Sequence, residues 1–214
     1  MKYHKKIYNA LRKKILVLIK KRHASRVLNK YGEMAPREGE VIWIDPCSVS
    51  GHMSPTVWNA LKKKTGFNGG TIVSGKWDIT DVEYLDFTSE DPFVSCYDHW
   101  INGKCWQQTS LFVENPPRLI RGETRSRRLT LDELKTRYEK LDKIYHSIES
   151  KGEMSTEKKD LVKISIARDG TLIWGPDGRH RLCIAICIGI VKIPALTGFV
   201  HAEAVDVFQT LRNT

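Results

Sequence analysis

The stretch from residue 162 to residue 200 constrains the fold most. Its pattern of apolar residues changes from that typical of a strand to that typical of a helix, and then back to that of a strand. Residues 162–167 alternate in the manner of a strand, Asp169-Gly170 is a turn signal and Thr171–Trp174 is the returning strand, which together predict a β-hairpin. Residues 179–188 follow a helical pattern, and residues 193–200 predict a further strand. These residues therefore predict a domain that contains both a sheet and helices.

The remaining predicted elements are simpler. The clearest helix begins at Thr130, because Glu133 completes a capping box there, and its apolar stripe continues until Gly152. Shorter patterns predict a strand at Val41–Ile44 and helices at Pro55–Lys64 and Asp91–Ile101.

Positive charge is concentrated at the N-terminus. The chain has a formal net charge of +10, yet 11 of its 35 Lys and Arg residues lie in residues 1–32, where no Asp or Glu occurs. The rest of the chain is close to neutral. Apolar residues recur at helical spacing within the basic segment, at Ile7, Leu11, Ile15 and Leu18. The sequence therefore predicts a basic amphipathic helix in residues 1–32, with a helical core over 3–30, followed by a globular domain over 33–214.

Composition narrows the class of protein. No apolar run outside the C-terminal part exceeds Ile15–Ile19, which is too short to span a bilayer. The five cysteines form no CxxC pair, and no secretory signal is visible, so we expect reduced thiols in a cytoplasmic protein.

The segment Asp177-Gly178-Arg179-His180-Arg181 carries the clearest chemical signal. It lies between a predicted strand and the N-terminus of a predicted helix, where unpaired backbone N–H groups and the helix dipole favour an anion. Gly178 permits close approach of the backbone, and Arg179, His180 and Arg181 supply donors to phosphate oxygens. We therefore predict a binding site for a nucleotide phosphate.

The run from Thr171 to Val200, TLIWGPDGRHRLCIAICIGIVKIPALTGFV, resembles the signature of the ParB/sulfiredoxin-like superfamily. That signature has a strand, a D-G-x-H-R-type turn, an Ala/Ile-rich helix, a glycine and an "IP" strand. The resemblance covers residues 130–202 well and 40–50 weakly. It implies an α+β fold, in which a mixed sheet packs against helices, and binding of ATP or CTP phosphates at the turn.

The departures from this superfamily matter as much as the matches. Gly178, His180 and Arg181 match the sulfiredoxin turn, but Arg179 replaces its catalytic cysteine. The second Glu-Asn-x-x-Arg motif and the helix-turn-helix of partition proteins are both missing. What the resemblance implies most naturally is an ATP-dependent phosphotransferase, or kinase, with Mg²⁺. Its acceptor would be a small hydroxylated molecule such as a sugar or glycan precursor.

Phosphoryl transfer also needs a carboxylate near the accepting hydroxyl. Asp78 is the preferred candidate, because it follows a glycine-rich stretch beside Lys76, which is able to meet phosphate, and Trp77. Asp45, after the first strand, and Asp177, which is also a candidate helix cap, are alternatives. The predicted catalytic residues are thus Asp78, His180 and Asp45.

Two regions leave alternatives open. Residues 79–128 are expected to be a family-specific insertion, and the arginine-rich run Arg118–Arg128 is its last part. The tryptophans of this insertion line either a substrate pocket or the core. The basic helix fits the inner face of an anionic cell membrane, a nucleic acid, or a docking site on its own domain or on a partner subunit. A ParB-like nucleic-acid-binding protein or nuclease is accordingly the alternative function.

Overall fold

A computed structural model describes residues 2–80, 82–84, 86–113 and 130–213. Its helices are α1 (Lys2–Tyr31), α2 (Pro55–Thr65), α3 (Trp77–Thr80), α4 (Asp91–Trp100), α5 (Leu131–Lys151), α6 (Arg179–Ile188) and α7 (Val205–Arg212). Its strands are β1 (Val41–Ile44), β2 (Val49–Met53), β3 (Thr71–Val73), β4 (Val82–Tyr84), β5 (Val162–Ile166), β6 (Leu172–Trp174) and β7 (Ile193–His201).

The seven strands form one mixed sheet, in which six follow the order β1-β7-β5-β6-β2-β4 and β3 pairs with β7 outside this order. The long strand β7 pairs antiparallel with β1 along its first half and parallel with β3 along its second half. β5 lies parallel to β7 and antiparallel to β6, so the hairpin predicted around Asp169-Gly170 is present. β6 then pairs parallel with β2, and β2 pairs antiparallel with the edge strand β4. The predicted α+β class is confirmed.

Both faces of the sheet are covered, because neighbouring residues of one strand point to opposite faces. Ile173 of β6 packs against Trp58 of α2 and against Trp77. Leu172 and Trp174, its neighbours, belong to the larger core with residues of α4, α5, α6 and α7. A strand with two buried faces is expected in a sheet that lies between helices.

Helix α6 is the central helix of the larger core. Leu182, Cys183, Ile184 and Ala185 are all fully buried, and the helix packs against α4, α5 and β5. A helix that is apolar on all sides is stable only when other elements surround it. Its polar N-terminal residues are therefore held in a fixed position at the rim of the core.

The region expected to be an insertion contributes to both layers. β4 extends the sheet, while α4 covers α6. Trp106 is buried, stacks on Tyr138, and donates from its indole nitrogen to Asp142 at 3.0 Å. Trp100 donates to the same carboxylate, so these tryptophans belong to the core. The arginine-rich run Arg118–Arg128 lies outside the described residues.

Candidate anion-binding site

The turn over Asp177–Arg181 is shaped by glycine. Gly178 precedes α6 with a φ of +100°, and a Cβ at this position would lie 2.9 Å from the Cα of Val162. The carbonyl oxygen of Gly178 accepts hydrogen bonds from the backbone N–H groups of Arg181 and Leu182. Only glycine combines this left-handed conformation with so close an approach to β5. The first turn of α6 is thereby fixed against the sheet.

The N-terminus of α6 presents cationic donors without a side-chain cap. Within the described residues no side chain accepts a hydrogen bond as the N-cap of this helix, and no carboxylate pairs with the half-buried guanidinium of Arg179. An unpaired guanidinium beside the positive end of a helix dipole favours a bound anion.

His180 is neutral at physiological pH. Burial, together with the positive charges of Arg137 on α5 and of Arg179, lowers the pKa of His180 to about 4. A neutral imidazole offers one donor and one acceptor nitrogen, so His180 adds hydrogen bonding without further charge.

His52 of β2 lies on the other side of Arg179. Its ring stacks on Trp174 with 4.2 Å between the ring centroids. Burial, and then the charge of Arg179, lower the pKa of His52, while Glu83 on β4 acts in the opposite direction. The sequence gives no signal that His52 belongs to this site, because nothing local connects β2 to α6.

Arg181 faces a different environment. Its guanidinium pairs with Asp160 at 2.5 Å, and it lines an open groove of about 730 Å³. We call this the α5 groove, and its lining includes Trp43, Lys143, Lys151, Glu157, Asp160, Arg181 and Lys192. The indole of Trp43 on β1 is 39% exposed there, which is unusual for so large an apolar ring. The groove therefore offers an aromatic face beside charges of both signs.

Asp177 is an exposed residue of the turn. Its carboxylate is 3.4 Å from the ammonium group of Lys163 on β5. This ion pair brings another cation next to the turn, and it gives Asp177 a local partner.

Asp78 is not near this turn. Its carboxylate is fully buried and accepts three hydrogen bonds from Arg168, one from the backbone N–H and two from the guanidinium, at 2.8–2.9 Å. Burial alone would raise the pKa of Asp78, but the bonds from Arg168 outweigh it and hold the pKa below its ordinary value.

The distance between Asp78 and the turn follows from the strand between them. Arg168 follows the C-terminal end of β5, whereas Gly178 packs on Val162 at the start of β5. Six residues of extended chain cover about 20 Å. The structure therefore does not bring Asp78 together with the predicted phosphate site, and it gives the carboxylate a structural partner. Lys76 is exposed at the same remote end.

Asp45 has the more favourable position. It is exposed at the end of β1, and one of its carboxylate oxygens caps the short turn Pro46–Ser48 by accepting from the backbone N–H of Cys47 at 2.8 Å. Trp43, two residues before Asp45 in the chain, lines the α5 groove, so Asp45 follows a strand that borders this groove.

The described residues contain no cluster of three or more His, Cys, Asp or Glu able to hold a metal ion. Mg²⁺ that is bound together with a nucleotide needs only one or two protein carboxylates, because phosphate oxygens and water complete its shell. Asp45 and Asp177 are exposed carboxylates of this kind, so the residues present are compatible with the predicted Mg²⁺.

Comparisons with protein-family models, with curated proteins and with solved structures gave no match to this chain. The resemblance to the ParB/sulfiredoxin-like superfamily consequently depends on the residues of the turn and on the order of the elements around it. Among the described residues, no helix combines the length and the apolar character needed to cross a membrane.

Proposed function

We propose that this chain is a nucleotide-dependent phosphotransferase of ParB/sulfiredoxin-like fold. The nucleotide, ATP or CTP, binds through its phosphates at the Asp177–Arg181 turn. The observation that carries the proposal is Arg179, a half-buried guanidinium without a carboxylate partner among the described residues, at the uncapped N-terminus of α6. A partly buried cation without a partner loses part of its hydration, and an anionic ligand would compensate for this loss.

The charges around the turn support an oligophosphate. Arg137 and Arg179 lie close enough to His180 to lower its pKa, Arg179 also lowers the pKa of His52, and Lys163 lies beside Asp177 of the turn. A phosphate chain carries several negative charges and many acceptor oxygens, so it matches several separated cations better than a single carboxylate does.

The acceptor, a small hydroxylated molecule such as a sugar or glycan precursor, binds in the α5 groove. The exposed ring of Trp43 packs against its C–H face, and the charged groups of the groove bond its hydroxyls. Bound Mg²⁺ would neutralise part of the negative charge on the phosphate groups. Asp45 replaces Asp78 as the proposed base, since it is exposed and directly follows β1, whose Trp43 lines the groove.

The reaction follows from these positions. The acceptor hydroxyl loses its proton to Asp45 while its oxygen forms a bond to the terminal phosphorus. The bond from that phosphorus to the bridging oxygen breaks, and the nucleoside diphosphate leaves. Arg179 stabilises the negative charge on the phosphoryl oxygens during transfer.

Calorimetric titration of ATP and of CTP with Mg²⁺ tests the site. Arg179→Ala and His180→Ala should weaken binding, the former by tenfold or more, because a charge-assisted hydrogen bond contributes roughly 1.5–3 kcal/mol. Lys76→Ala, an exposed cation at the far end of β5, is the matched control and should bind like the wild type. Equal affinity of all variants, or no binding by the wild type, would contradict the site.

Turnover distinguishes the enzyme from other nucleotide-binding proteins. Release of nucleoside diphosphate in the presence of a sugar-alcohol panel should fall at least a hundredfold in Asp45→Asn, with nucleotide affinity unchanged. Binding without release in any acceptor mixture would indicate a nucleotide sensor. Metal-dependent nicking of DNA that is lost in Arg179→Ala would instead support the ParB-like nuclease.

A further inference from the structure

Helix α1 is attached to the domain by one face of its C-terminal half. Nε2 of His23 lies 3.0 Å from Oγ1 of Thr71 and 3.1 Å from the carbonyl oxygen of Ile72, and Val27 is buried. Lys20 pairs with Glu38, and Gly66 of the domain approaches the helix so closely that a Cβ there would overlap Lys20. These contacts fix which side of α1 faces the domain.

The opposite side of α1 carries an apolar stripe. Its members are 55–65% exposed and recur at helical spacing: Tyr8, Leu11, Ile15 and Leu18. Leu18 and Val27 are nine residues apart, which corresponds to a rotation of about 180° around the helix axis. Leu11 lies about 160° from Val27 around the axis, Ile15 about 120° and Tyr8 about 100°, so the whole stripe lies outside the domain-facing side of the helix, and no described residue covers it.

Positive charge borders this stripe on both sides. Arg12 lies along one edge, Lys14 and Lys21 lie along the other, and Arg22 continues the line of the stripe one turn beyond Leu18; all four residues are exposed. Residues 1–32 contain no acidic residue that would offset them. The outer surface of α1 thus combines aliphatic side chains in its centre with cations along its edges.

We infer that the outer face of α1, with the stripe Tyr8, Leu11, Ile15 and Leu18, lies flat on an anionic lipid surface. The aliphatic side chains enter the boundary between headgroups and acyl chains, while the flanking Lys and Arg residues meet the lipid phosphates. This orientation leaves the domain on the aqueous side, because the domain is attached to the opposite face of the helix. The inference is independent of the proposed nucleotide site.

Two other occupants fit this surface less well. A second copy of the chain would pair stripe with stripe, and it would bring the flanking cations of two identical helices together without an acid between them. A nucleic acid would satisfy the cations, but it leaves the aliphatic stripe exposed to water. An anionic membrane satisfies both features of the same face.

Flotation of the full chain with vesicles tests this assignment. We expect the wild type to float with phosphatidylcholine vesicles containing about a third phosphatidylserine at 0.1 M salt, and to float at least tenfold less with pure phosphatidylcholine. Raising the salt to 0.5 M should weaken flotation, because surface charges are screened within a Debye length.

The variant Ile15→Gln/Leu18→Gln should lose flotation by tenfold or more. Its matched control is Val17→Gln/Leu28→Gln, which removes two equally exposed apolar residues of α1 that lie outside the stripe, and which should float like the wild type. Circular dichroism checks that helix content is the same in both. Failure of the wild type to float, or equal flotation of the two variants, would overturn the inference.

Two further results would also overturn it. One is a dimer that only the stripe variant abolishes in sedimentation, which would assign the stripe to a second copy. The other is tight, salt-sensitive binding of duplex DNA together with no flotation. Arg179→Ala should float normally, so a failure of the nucleotide site and a failure of the lipid surface are distinguishable.

Discussion

At the scale of single residues, His180 shows how position determines chemistry. The sequence places it in a phosphate-binding turn and implies a donor, yet its burial between Arg137 and Arg179 keeps the ring neutral. The local sequence of the turn reveals neither the burial of His180 nor the nearby charge of Arg137, because Arg137 lies on α5. The residue type was therefore predictable from the sequence, and its protonation state was not.

This neutral state predicts a pH dependence of stability. A histidine in the unfolded chain has a pKa near 6.5, whereas the pKa of His180 is about 4 in the folded chain. Between these values the unfolded state binds more protons, so stability falls as the pH falls from about 6.5 to 4. We expect the wild type to lose about 1–2 kcal/mol more than His180→Gln between pH 7 and pH 5.

Denaturant titration at pH 7 and pH 5 measures this difference. His146→Gln is the control, since His146 is exposed on α5, and it should lose as much stability as the wild type. An identical loss in His180→Gln and in the wild type would show that His180 is not held neutral by its surroundings.

At the scale of elements, the two glycines that bound α6 have different roles. Gly178 and Gly189 both have positive φ, at +100° and +79°. A Cβ on Gly189 would meet nothing within 4 Å, whereas one on Gly178 would overlap the backbone of Val162. Gly189 ends a helix, while Gly178 also allows the turn to pack against β5.

The two substitutions to alanine should therefore differ. Gly189→Ala should cost about 1–2 kcal/mol, the cost of a left-handed non-glycine residue, and leave nucleotide affinity unchanged. Gly178→Ala should cost more and should also weaken nucleotide binding at least tenfold, because β5 and the first turn of α6 must separate. Thermal unfolding and calorimetry on both proteins measure these effects. Equal losses of stability and unchanged affinity in both would contradict this account of the turn.

Elements with strong local signals were predictable, and weakly marked ones were not. The capping box of Thr130 and Glu133 forms as expected, and α5 ends at Gly152. Strand β2 escaped prediction because Gly51 interrupts its pattern, and the structure shows that the side chain of Ile173 occupies the space where a Cβ would lie. The terminal helix α7 was also missed. Tertiary contacts, which the local pattern does not encode, determine such elements.

At the scale of the whole molecule, one end of β5 supports the proposed nucleotide site, and the other end supports an ion pair that stabilises the fold. The start of β5 supports the turn with Gly178, and its far end supports the buried pair of Asp78 and Arg168. Asp78 and Arg168 are separated by 90 residues in the chain, so their pairing is not visible in the sequence. Lys76 and Asp78 were therefore assigned to the phosphate site from local composition alone. In the sequence, a glycine-rich stretch with a lysine and an aspartate has the same appearance whether it folds beside the phosphate site or at the far end of β5.

This division predicts opposite effects of two substitutions. Asp78→Asn turns an amide N–H group or a weaker acceptor toward Arg168, and we expect it to lower the free energy of unfolding by about 2–3 kcal/mol. This loss of stability is smaller than the loss expected for a fully buried ion pair, because the Arg168 side chain is 29% exposed. The folded fraction should bind ATP or CTP with wild-type affinity. Arg179→Ala should show the reverse, with wild-type stability and weakened binding.

Chemical denaturation and calorimetry on the same two proteins measure both quantities. If the stable fraction of Asp78→Asn fails to bind nucleotide while Lys76→Ala binds normally, Asp78 contributes to the site despite its burial. If Arg179→Ala is strongly destabilised, its guanidinium supports the fold and is not held available for an anion. The expected pattern, in which each substitution moves one quantity only, follows from the roughly 20 Å of strand that separates the two clusters.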